Sequence, residues 1–196
     1  MSRWDTRFAE DGFAYGSTPN DFVAERSSQL KSPVLCLAAG EGRNAVFLAE
    51  QGFEVHAVDL SSIGLNKCKA LAAERGVELT TEVVDLADYD LGEGKWGSIV
   101  AIFAHLPPPL RAKVHAAIAN GLAPGGVLLM EMYAQDQLQF GTGGPPKLEM
   151  LYTVDLVKTT FPSLTFSHLE QVQRSIVEGR YHTGEAAVVQ VIGHKA

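Results

Sequence analysis

The sequence has few of the features that would indicate a secreted or membrane protein. Its two cysteines, Cys36 and Cys68, cannot build a framework of disulfide bridges, and Cys36 lies inside an apolar run, which is typical of a small buried residue. The longest apolar runs, such as VLLM and VVQVI, are far shorter than the ~20 residues of a membrane span. The first residues, MSRWDTRFAEDGF, lack the apolar segment of a signal peptide. We therefore expect a cytoplasmic protein.

Positive charge is also scarce. The formal net charge is −7, with acidic and basic residues scattered along 196 residues. Because the release of counterions from phosphates requires a basic protein face, we expect neither nucleic acid nor an anionic membrane as a partner. The histidines at positions 56, 115, 168 and 194 show no metal-ligand spacing with acids or cysteines, so we predict no metal site.

Strand and helix patterns alternate between residues 34 and 133. Strands are predicted at 34–37, 54–59, 77–84, 96–104 and 127–133, and helices at 43–51, at 62–75 and after the triple proline at 107–109. This alternation predicts a parallel sheet covered on both faces, because parallel strands need crossover connections. The segments LTFSHLEQVQRSIV and GEAAVVQVIG, joined by EGRYHT, predict a closing antiparallel hairpin and hence one reversed strand near the edge of the sheet.

The predicted fold is therefore α/β. It is a doubly wound, seven-stranded, mostly parallel sheet with one antiparallel strand, in three αβα layers. We expect a single domain over 1–196, with these parts: an N-terminal arm and helix at 1–32, a core at 33–134, an insertion at 135–152, and a helix with the hairpin at 153–196. The N-terminal helix is predicted at 17–31, with Thr18 as its N-cap and Pro19 in its first turn. Residues 123–126 are predicted to form a turn.

The stretch VLCLAAGEGRNAVFLAEQGFEVHAVDLS carries the main functional signal. Gly40 and Gly42 follow the first strand, where the lack of a Cβ lets a ligand approach the backbone closely. The following helix start favours an anionic group, and Asp59 ends the second strand where a carboxylate can accept both hydroxyls of a ribose. No Gly-Lys-Ser/Thr follows, which excludes a triphosphate P-loop. The pattern indicates a nucleoside-bearing ligand without distinguishing a nicotinamide dinucleotide from another adenosyl ligand.

This stretch resembles the first motifs of class I S-adenosylmethionine-dependent methyltransferases, whose usual form is L-D-L-G-C-G-x-G-R-N. Its Gly-Arg-Asn resembles the tellurite-resistance and thiopurine methyltransferase branch. The segments Asp85-Leu86, Leu122-Ala123-Pro124-Gly125-Gly126 and the closing hairpin also resemble family motifs, as do the N-terminal W-D-x-R-F and Y-G-x-x-P-N-x-F. The resemblance implies S-adenosylmethionine as the cofactor and a small-molecule methyl acceptor. Cys36 stands where the family usually has Asp, so the amino group of the methionine part is expected to contact Glu41 or backbone carbonyls.

The resemblance implies a set of cofactor-binding residues: Ala38, Gly40, Glu41, Gly42, Arg43, Asn44, Asp59, Leu60, Ser61, Asp85, Leu86, Phe103 and Ala104. Some have simpler interpretations. Arg43 and Asn44 could serve simply as the capped, charged start of a helix, and Ser61 could serve simply as an N-cap. Asp85 could serve simply as a turn-forming residue. Because Asp59 ends a strand, its replacement by alanine is expected to leave the fold intact and to weaken cofactor binding.

Two residues are candidates for catalysis. His105, after the fourth strand, could accept a proton from a nucleophile, or it could be a pocket wall bonded to the backbone. Tyr15 could close over the sulfonium, or its role could be packing alone. Tyr133 and His182 are predicted to line the acceptor pocket.

The lack of an obvious base cluster favours a soft sulfur, selenium or tellurium nucleophile as the acceptor. Two alternatives are a non-catalytic protein that binds S-adenosylmethionine or its demethylated product, and a nicotinamide-dependent oxidoreductase. The sequence allows a monomer or a homodimer.

Overall fold

The computed structural model describes residues 2–196, which form a seven-stranded sheet with helices on both faces. The strands are β1 Val34–Leu37, β2 Val55–Asp59, β3 Thr80–Val83, β4 Trp96–Ile102, β5 Leu122–Tyr133, β6 Leu164–Glu178 and β7 His182–Lys195. The helices are α1 Arg3–Phe8, α2 Asp21–Arg26, α3 Arg43–Glu50, α4 Ser62–Arg75, α5 Pro108–Gly121 and α6 Val154–Thr160. Within the described residues, no helix combines the length and hydropathy needed to cross a bilayer.

The strand order is β3-β2-β1-β4-β5-β7-β6, which confirms the predicted fold. The pairs among β1 to β5 are parallel, and β7 is antiparallel to both of its neighbours. The chain runs outward from β1 in both directions. The place between β1 and β4 is therefore a topological switch point, where open α/β sheets bind ligands beyond the carboxyl ends of the strands.

Two apolar layers enclose the sheet because successive side chains of a strand point to opposite faces. In β1, Leu35 and Leu37 pack into one layer, and Val34 and Cys36 pack into the other. The first layer receives α5 and α6, and the second receives α2, α3 and part of α4. The buried apolar strands thus form the middle of the predicted αβα arrangement.

The N-terminal segment differs from its prediction. The helix expected at 17–31 is wrong at both ends: α2 spans Asp21–Arg26, and a 3-10 turn follows at Ser27–Gln29. Asn20 is the N-cap of α2, with a side-chain oxygen that accepts the N–H of Val23. Residues 17–19 precede the helix, so Thr18 and Pro19 have no capping role there. The short helix α1 lies further upstream, where Ser2 and Asp5 form a reciprocal capping box.

Several strand boundaries also differ. The strand predicted at 77–84 is shorter in the structure, where β3 spans Thr80–Val83. The residues predicted as a turn at 123–126 lie within β5 as an irregularity, because the β4–β5 register shifts from Trp96–Leu122 to Ser98–Val127. The strand β4 ends at Ile102, two residues early, because Phe103 has a φ of 52° in the left-handed region.

The insertion forms short 3-10 turns at Gln135–Gln139 and Leu148–Met150. Between these turns, Gly143 and Gly144 lie directly against Tyr133, where a Cβ on either glycine would come within 2.8 Å of the tyrosine ring or its hydroxyl. The insertion therefore forms part of the wall at the carboxyl edge of the sheet.

Candidate functional site

A cavity of about 350 Å³ lies beyond the carboxyl ends of β1, β2 and β4. Its walls come from α1, the turn after β1, the insertion and the β6–β7 hairpin. The predicted site residues that line it are Tyr15, Ala38, Gly40, Glu41, Arg43, Asn44, Asp59, Phe103, Ala104, His105 and His182. The topology therefore brings most of the residues selected from the sequence to one place.

The turn after β1 depends on glycine at two positions. Gly40 and Gly42 have φ values of 57° and 88°, in the region that other residues rarely adopt. A Cβ on Gly42 would lie 2.2 Å from the Sγ of Cys68 on α4, so Gly42 allows α3 to begin in close contact with α4. Gly42 thus contacts α4 and shapes the turn without lining the cavity.

Asp59 is tied to this turn. Its Oδ2 accepts the N–H of Gly40 and its Oδ1 accepts the N–H of Ser61, each at 2.8 Å. Burial raises the pKa of Asp59, and these backbone N–H groups oppose that rise. The residue is 6% exposed, so alanine would leave two buried donors unpaired. These contacts favour a loss of stability in the alanine variant over the intact fold expected from the sequence.

Two buried residues of opposite charge, Glu41 and Arg43, lie at the turn, and each binds a partner elsewhere in the chain. Glu41 accepts the N–H of Ala14 at 2.8 Å and the ammonium of Lys67 at 2.9 Å. Arg43 donates from Nη2 to Glu178 at 2.7 Å, and its Nη1 is buried with no hydrogen-bond partner among residues 2–196. Arg43 is therefore more than a surface charge at a helix start.

Six predicted residues lie outside the cavity wall: Gly42, Leu60, Ser61, Asp85, Leu86 and Tyr133. Ser61 caps α4 by accepting the N–H of Gly64, and its hydroxyl donates to Asp5. Asp85 is exposed and accepts the N–H of Ala87, which is the simple turn geometry. Asp85 still lies near Asp59, because the N–H of Val84 donates to the Asp59 carbonyl.

His105 forms a wall of the cavity with both ring nitrogens bonded to the backbone. Its Nδ1 donates to the Met150 carbonyl at 2.9 Å, so its Nε2 accepts the N–H of Tyr133 at 3.2 Å. Burial lowers the pKa of His105 to about 4. No lone pair is left for an acceptor's proton, so the geometry favours a wall over a base.

Aromatic rings enclose the cavity beyond β4. The ring centroids of Tyr15 and His182 lie 4.4 Å apart, and those of Phe103 and Tyr133 are stacked at 4.4 Å. Tyr133 is 1% exposed, lies behind Phe103, and its hydroxyl has no partner among residues 2–196. Burial raises the pKa of this hydroxyl, so it is a neutral donor.

The sequence prediction missed the contribution of α1. Arg3, Trp4, Arg7 and Phe8 all line the cavity. The available signal was the set of aromatics at positions 4, 8, 13 and 15, which lie in the segment predicted only as an N-terminal arm. The arm is fixed by Asp5, which accepts the Ser61 hydroxyl at 2.6 Å.

Metal-binding chemistry has no candidate position in the described part of the chain. Among residues 2–196, no group of three or more His, Cys, Asp or Glu side chains is placed to hold an ion.

Comparisons with known proteins agree with this geometry. Residues 34–126 match the family described as a methyltransferase domain, and this range runs from β1 into the first part of β5. The matched range contains the glycine turn and Asp59, and the reversed β7 completes the sheet order that the resemblance implied. This match and the shared fold support the predicted class I S-adenosylmethionine-dependent methyltransferase. S-adenosylmethionine, the predicted cofactor, is the methyl donor of this family.

Individual relatives of the chain are distant. A 2-heptyl-1-hydroxyquinolin-4(1H)-one methyltransferase of Mycobacteroides abscessus is 28% identical over 115 residues, which cover 57% of this chain. The chain spans about half (51%) of that relative's length.

Two solved structures share the fold. An S-adenosylmethionine-dependent methyltransferase of Methanosarcina mazei has a TM-score of 0.71 at 14% identity, covering 86% of this chain and 95% of its own. TehB of Haemophilus influenzae has a TM-score of 0.72 at 14% identity, covering 98% and 66%. These values show the fold, and the tellurite-resistance branch is only a loose resemblance.

Proposed function

We propose that this protein transfers a methyl group from S-adenosylmethionine to a small molecule. The observation that supports this activity best is the single cavity at the switch point, which combines the glycine turn, Asp59 and an aromatic enclosure. When bound, S-adenosylmethionine supplies a methyl group that its positive sulfur already activates. The chain then mainly has to align the acceptor with that methyl group and exclude water.

The residues of the cavity fit this cofactor. The Asp59 carboxylate uses one site on each oxygen for backbone N–H groups, and a carboxylate offers about four sites in all, so two remain for the ribose hydroxyls. We propose that the unpartnered Nη1 of Arg43 binds the carboxylate of the methionine part. Glu41, in the same wall, then binds its ammonium group, which replaces the contact that Cys36 cannot make.

The adenine end is proposed to lie over the open edge beyond β2 and β3. Leu60 is 45% exposed there, next to the Ser61 backbone, and offers an apolar surface for the base. The second carboxylate oxygen of Asp85 is proposed to accept the adenine amino group, with Leu86 supporting the loop. Trp4 and Phe8 of α1 then cover the cofactor from the other side.

The acceptor is proposed to enter beside Phe103, Ala104, Tyr15 and His182, under the insertion. A soft sulfur, selenium or tellurium nucleophile fits the lack of a free nitrogen on His105, because such a nucleophile needs no strong base. A hydroxyl acceptor is the second candidate. The printed name of the Mycobacteroides abscessus relative, a methyltransferase for a 1-hydroxyquinolinone, favours it.

Proposals are also made for the domain organisation, the location, the oligomeric state and the partners. We propose a single domain, a cytoplasmic location, a monomer or homodimer, and no nucleic-acid or membrane partner. The alternative function is binding of S-adenosylmethionine or S-adenosylhomocysteine without catalysis. The nicotinamide-dependent alternative is not favoured, because residues 34–126 match a methyltransferase domain.

The test combines calorimetry and a methylation assay. We expect binding of S-adenosylmethionine and S-adenosylhomocysteine, and none of NADH or NADPH. Transfer of labelled methyl from S-adenosylmethionine to a panel of thiols, selenite, tellurite and hydroxylated heteroaromatics should then identify the acceptor class. Equal affinity for both cofactor forms, with no transfer to any member of the panel, would favour the non-catalytic binder. Failure to bind either form would refute the proposal.

A further inference from the structure

Of the two histidines in the cavity wall, only His182 has a ring nitrogen in position to act. His105 uses both nitrogens for backbone contacts. The Nδ1 of His182 is enclosed by protein and has no hydrogen-bond partner among residues 2–196. The Nε2 of the same ring is not enclosed in this way. Because the ring lines the cavity, Nε2 is the nitrogen that faces it.

A carboxylate lies on the enclosed side of this ring. The Oε2 of Glu178 is 3.8 Å from the Nδ1 of His182, and the two residues are cross-strand partners at the start of the hairpin. Side chains of directly paired residues share one face of a sheet, so the strand register itself places this carboxylate beside the imidazole. The distance exceeds that of a hydrogen bond, as is common for catalytic contacts before substrate binds.

Glu178 is held firmly in this position. Its Oε1 accepts from the Asn20 amide at 2.9 Å and its Oε2 accepts from Arg43 at 2.7 Å, and the residue is 4% exposed. Burial by itself would raise the pKa of Glu178, but its contacts with His182 and Arg43 outweigh burial and lower that pKa to about 2. The side chain is therefore an ionised carboxylate at neutral pH.

We infer that His182 is the general base for a hydroxyl-bearing acceptor and that Glu178 is its positioning residue. This inference rests on the proposed methyltransferase function and selects the second of its two candidate acceptor classes, one with an ionisable O–H group, because His182 offers the free nitrogen that His105 lacks. Glu178 favours the tautomer with the proton on Nδ1, which leaves the lone pair of Nε2 towards the cavity. It also stabilises the imidazolium that forms.

The step balances in atoms and electrons. The hydroxyl proton passes to Nε2 of His182, and an electron pair of the oxygen forms the new O–CH₃ bond. The electron pair of the broken C–S bond stays on sulfur, which becomes the neutral thioether of S-adenosylhomocysteine. The proton on His182 is afterwards released to solvent.

Charged and titratable groups surround the His182 ring on several sides: Glu178, Arg43, Arg7, Tyr15, Tyr133 and His105. Burial lowers the pKa of His182, Glu178 opposes this by raising it, and Arg43 and Arg7 lower it further. The imidazole is therefore neutral at pH 7 and able to accept a proton. Activity should fall as the pH drops below the ordinary histidine pKa of about 6.5 and His182 becomes protonated.

The experiment uses three variants of the full chain. His182→Gln removes the base, and Glu178→Gln removes the charge of its partner while keeping an acceptor for Arg43. The matched control is His168→Gln, because His168 lies on the same hairpin, 3.4 Å from Glu170, and outside the cavity. S-adenosylhomocysteine affinity and melting temperature establish that each variant is folded.

The first readout is the pH profile of methyl transfer to 1-hydroxyquinolin-4(1H)-one. We expect His182→Gln to lower kcat roughly 100-fold or more, with S-adenosylhomocysteine affinity within about twofold, and to lose the acidic limb of the profile. In Glu178→Gln the limb should move to lower pH, because the carboxylate that raises the pKa of His182 is gone. The His168→Gln control should match the wild type. A kcat in folded His182→Gln within threefold of the wild type would overturn the inference.

The second readout is independent of turnover. Nitrogen-15 NMR of histidine-labelled protein with S-adenosylhomocysteine should show His182 protonated on Nδ1, and Glu178→Gln should change this tautomer balance. An Nε2-protonated His182 in the wild type would overturn the inference. The Nδ1 tautomer without transfer to any acceptor would instead refute the proposed function.

Discussion

Replacing Asp59 by alanine affects both the fold and the proposed ribose contact. The carboxylate is 6% exposed and accepts N–H groups of Gly40 and Ser61 at 2.8 Å. Alanine leaves two buried donors without an acceptor, and each such donor costs roughly 1–3 kcal/mol, so the free energy of unfolding should fall by about 2–6 kcal/mol. Asparagine keeps one oxygen and should cost about half as much.

The same change removes the proposed acceptor of the ribose hydroxyls. Hydrogen bonds to a charged group contribute roughly 1.5–3 kcal/mol, so S-adenosylhomocysteine should bind at least about tenfold more weakly. Urea unfolding gives the stability, and calorimetry at a temperature where the variant is folded gives the affinity.

A matched control is Asp90→Ala. Asp90 accepts the N–H of the residue two positions ahead, Gly92, as Asp59 does from Ser61, but it is exposed and lies outside the cavity. Its loss should change the free energy of unfolding by less than about 1 kcal/mol and leave affinity unchanged. An Asp59→Ala protein with wild-type stability and wild-type affinity would refute the reasoning.

Three further changes test other parts of the structure. Gly42→Ala should lower the melting temperature far more than Gly52→Ala. The two glycines have similar φ values of 88° and 86°, but only at position 42 would a Cβ lie 2.2 Å from the Sγ of Cys68. Equal losses in the two variants would contradict this. Burial lowers the pKa of His115 to about 4, so this residue should contribute stability that is complete above pH 6.5 and falls by up to about 3 kcal/mol towards pH 4, because only the unfolded chain takes up its proton. His105, whose pKa is also lowered to about 4, should add a similar loss. Urea unfolding across pH should show this fall, and His115→Gln should reduce it. Trp4→Ala should weaken S-adenosylhomocysteine binding roughly two- to tenfold in calorimetry, whereas unchanged affinity would exclude α1 from the site.

The sheet could be predicted because its signals are local. The strand β1 is bounded by Pro33 and small residues, and α4 lies between Ser61, its N-cap, and Gly76 in the left-handed region. These residues act on their own backbone or on that of residues nearby in the chain, so the sequence pattern alone locates the elements. The start of α2 was mispredicted because Asn20 also donates from its side chain to Glu131 and Glu178, contacts more than 100 residues away.

In the candidate site, too, the local features could be predicted and the long-range contacts could not. Gly40 and Asp59 could be found because a glycine turn after one strand and an acid ending the next form a local motif. The sequence could not show which histidine has a nitrogen free to accept a proton, because this depends on hydrogen-bond partners that are distant in the chain. His105 is bonded to Met150, 45 residues away, and Glu178 reaches Arg43 across 135 residues.

The most direct measurement is a crystal structure with S-adenosylhomocysteine. We predict its ribose on the carboxylate of Asp59, its methionine end between the Gly40 turn and Arg43, and its sulfur directed towards Phe103 and His182. The ligand bound elsewhere on the molecule, or absent from this cavity at saturating concentration, would contradict the account.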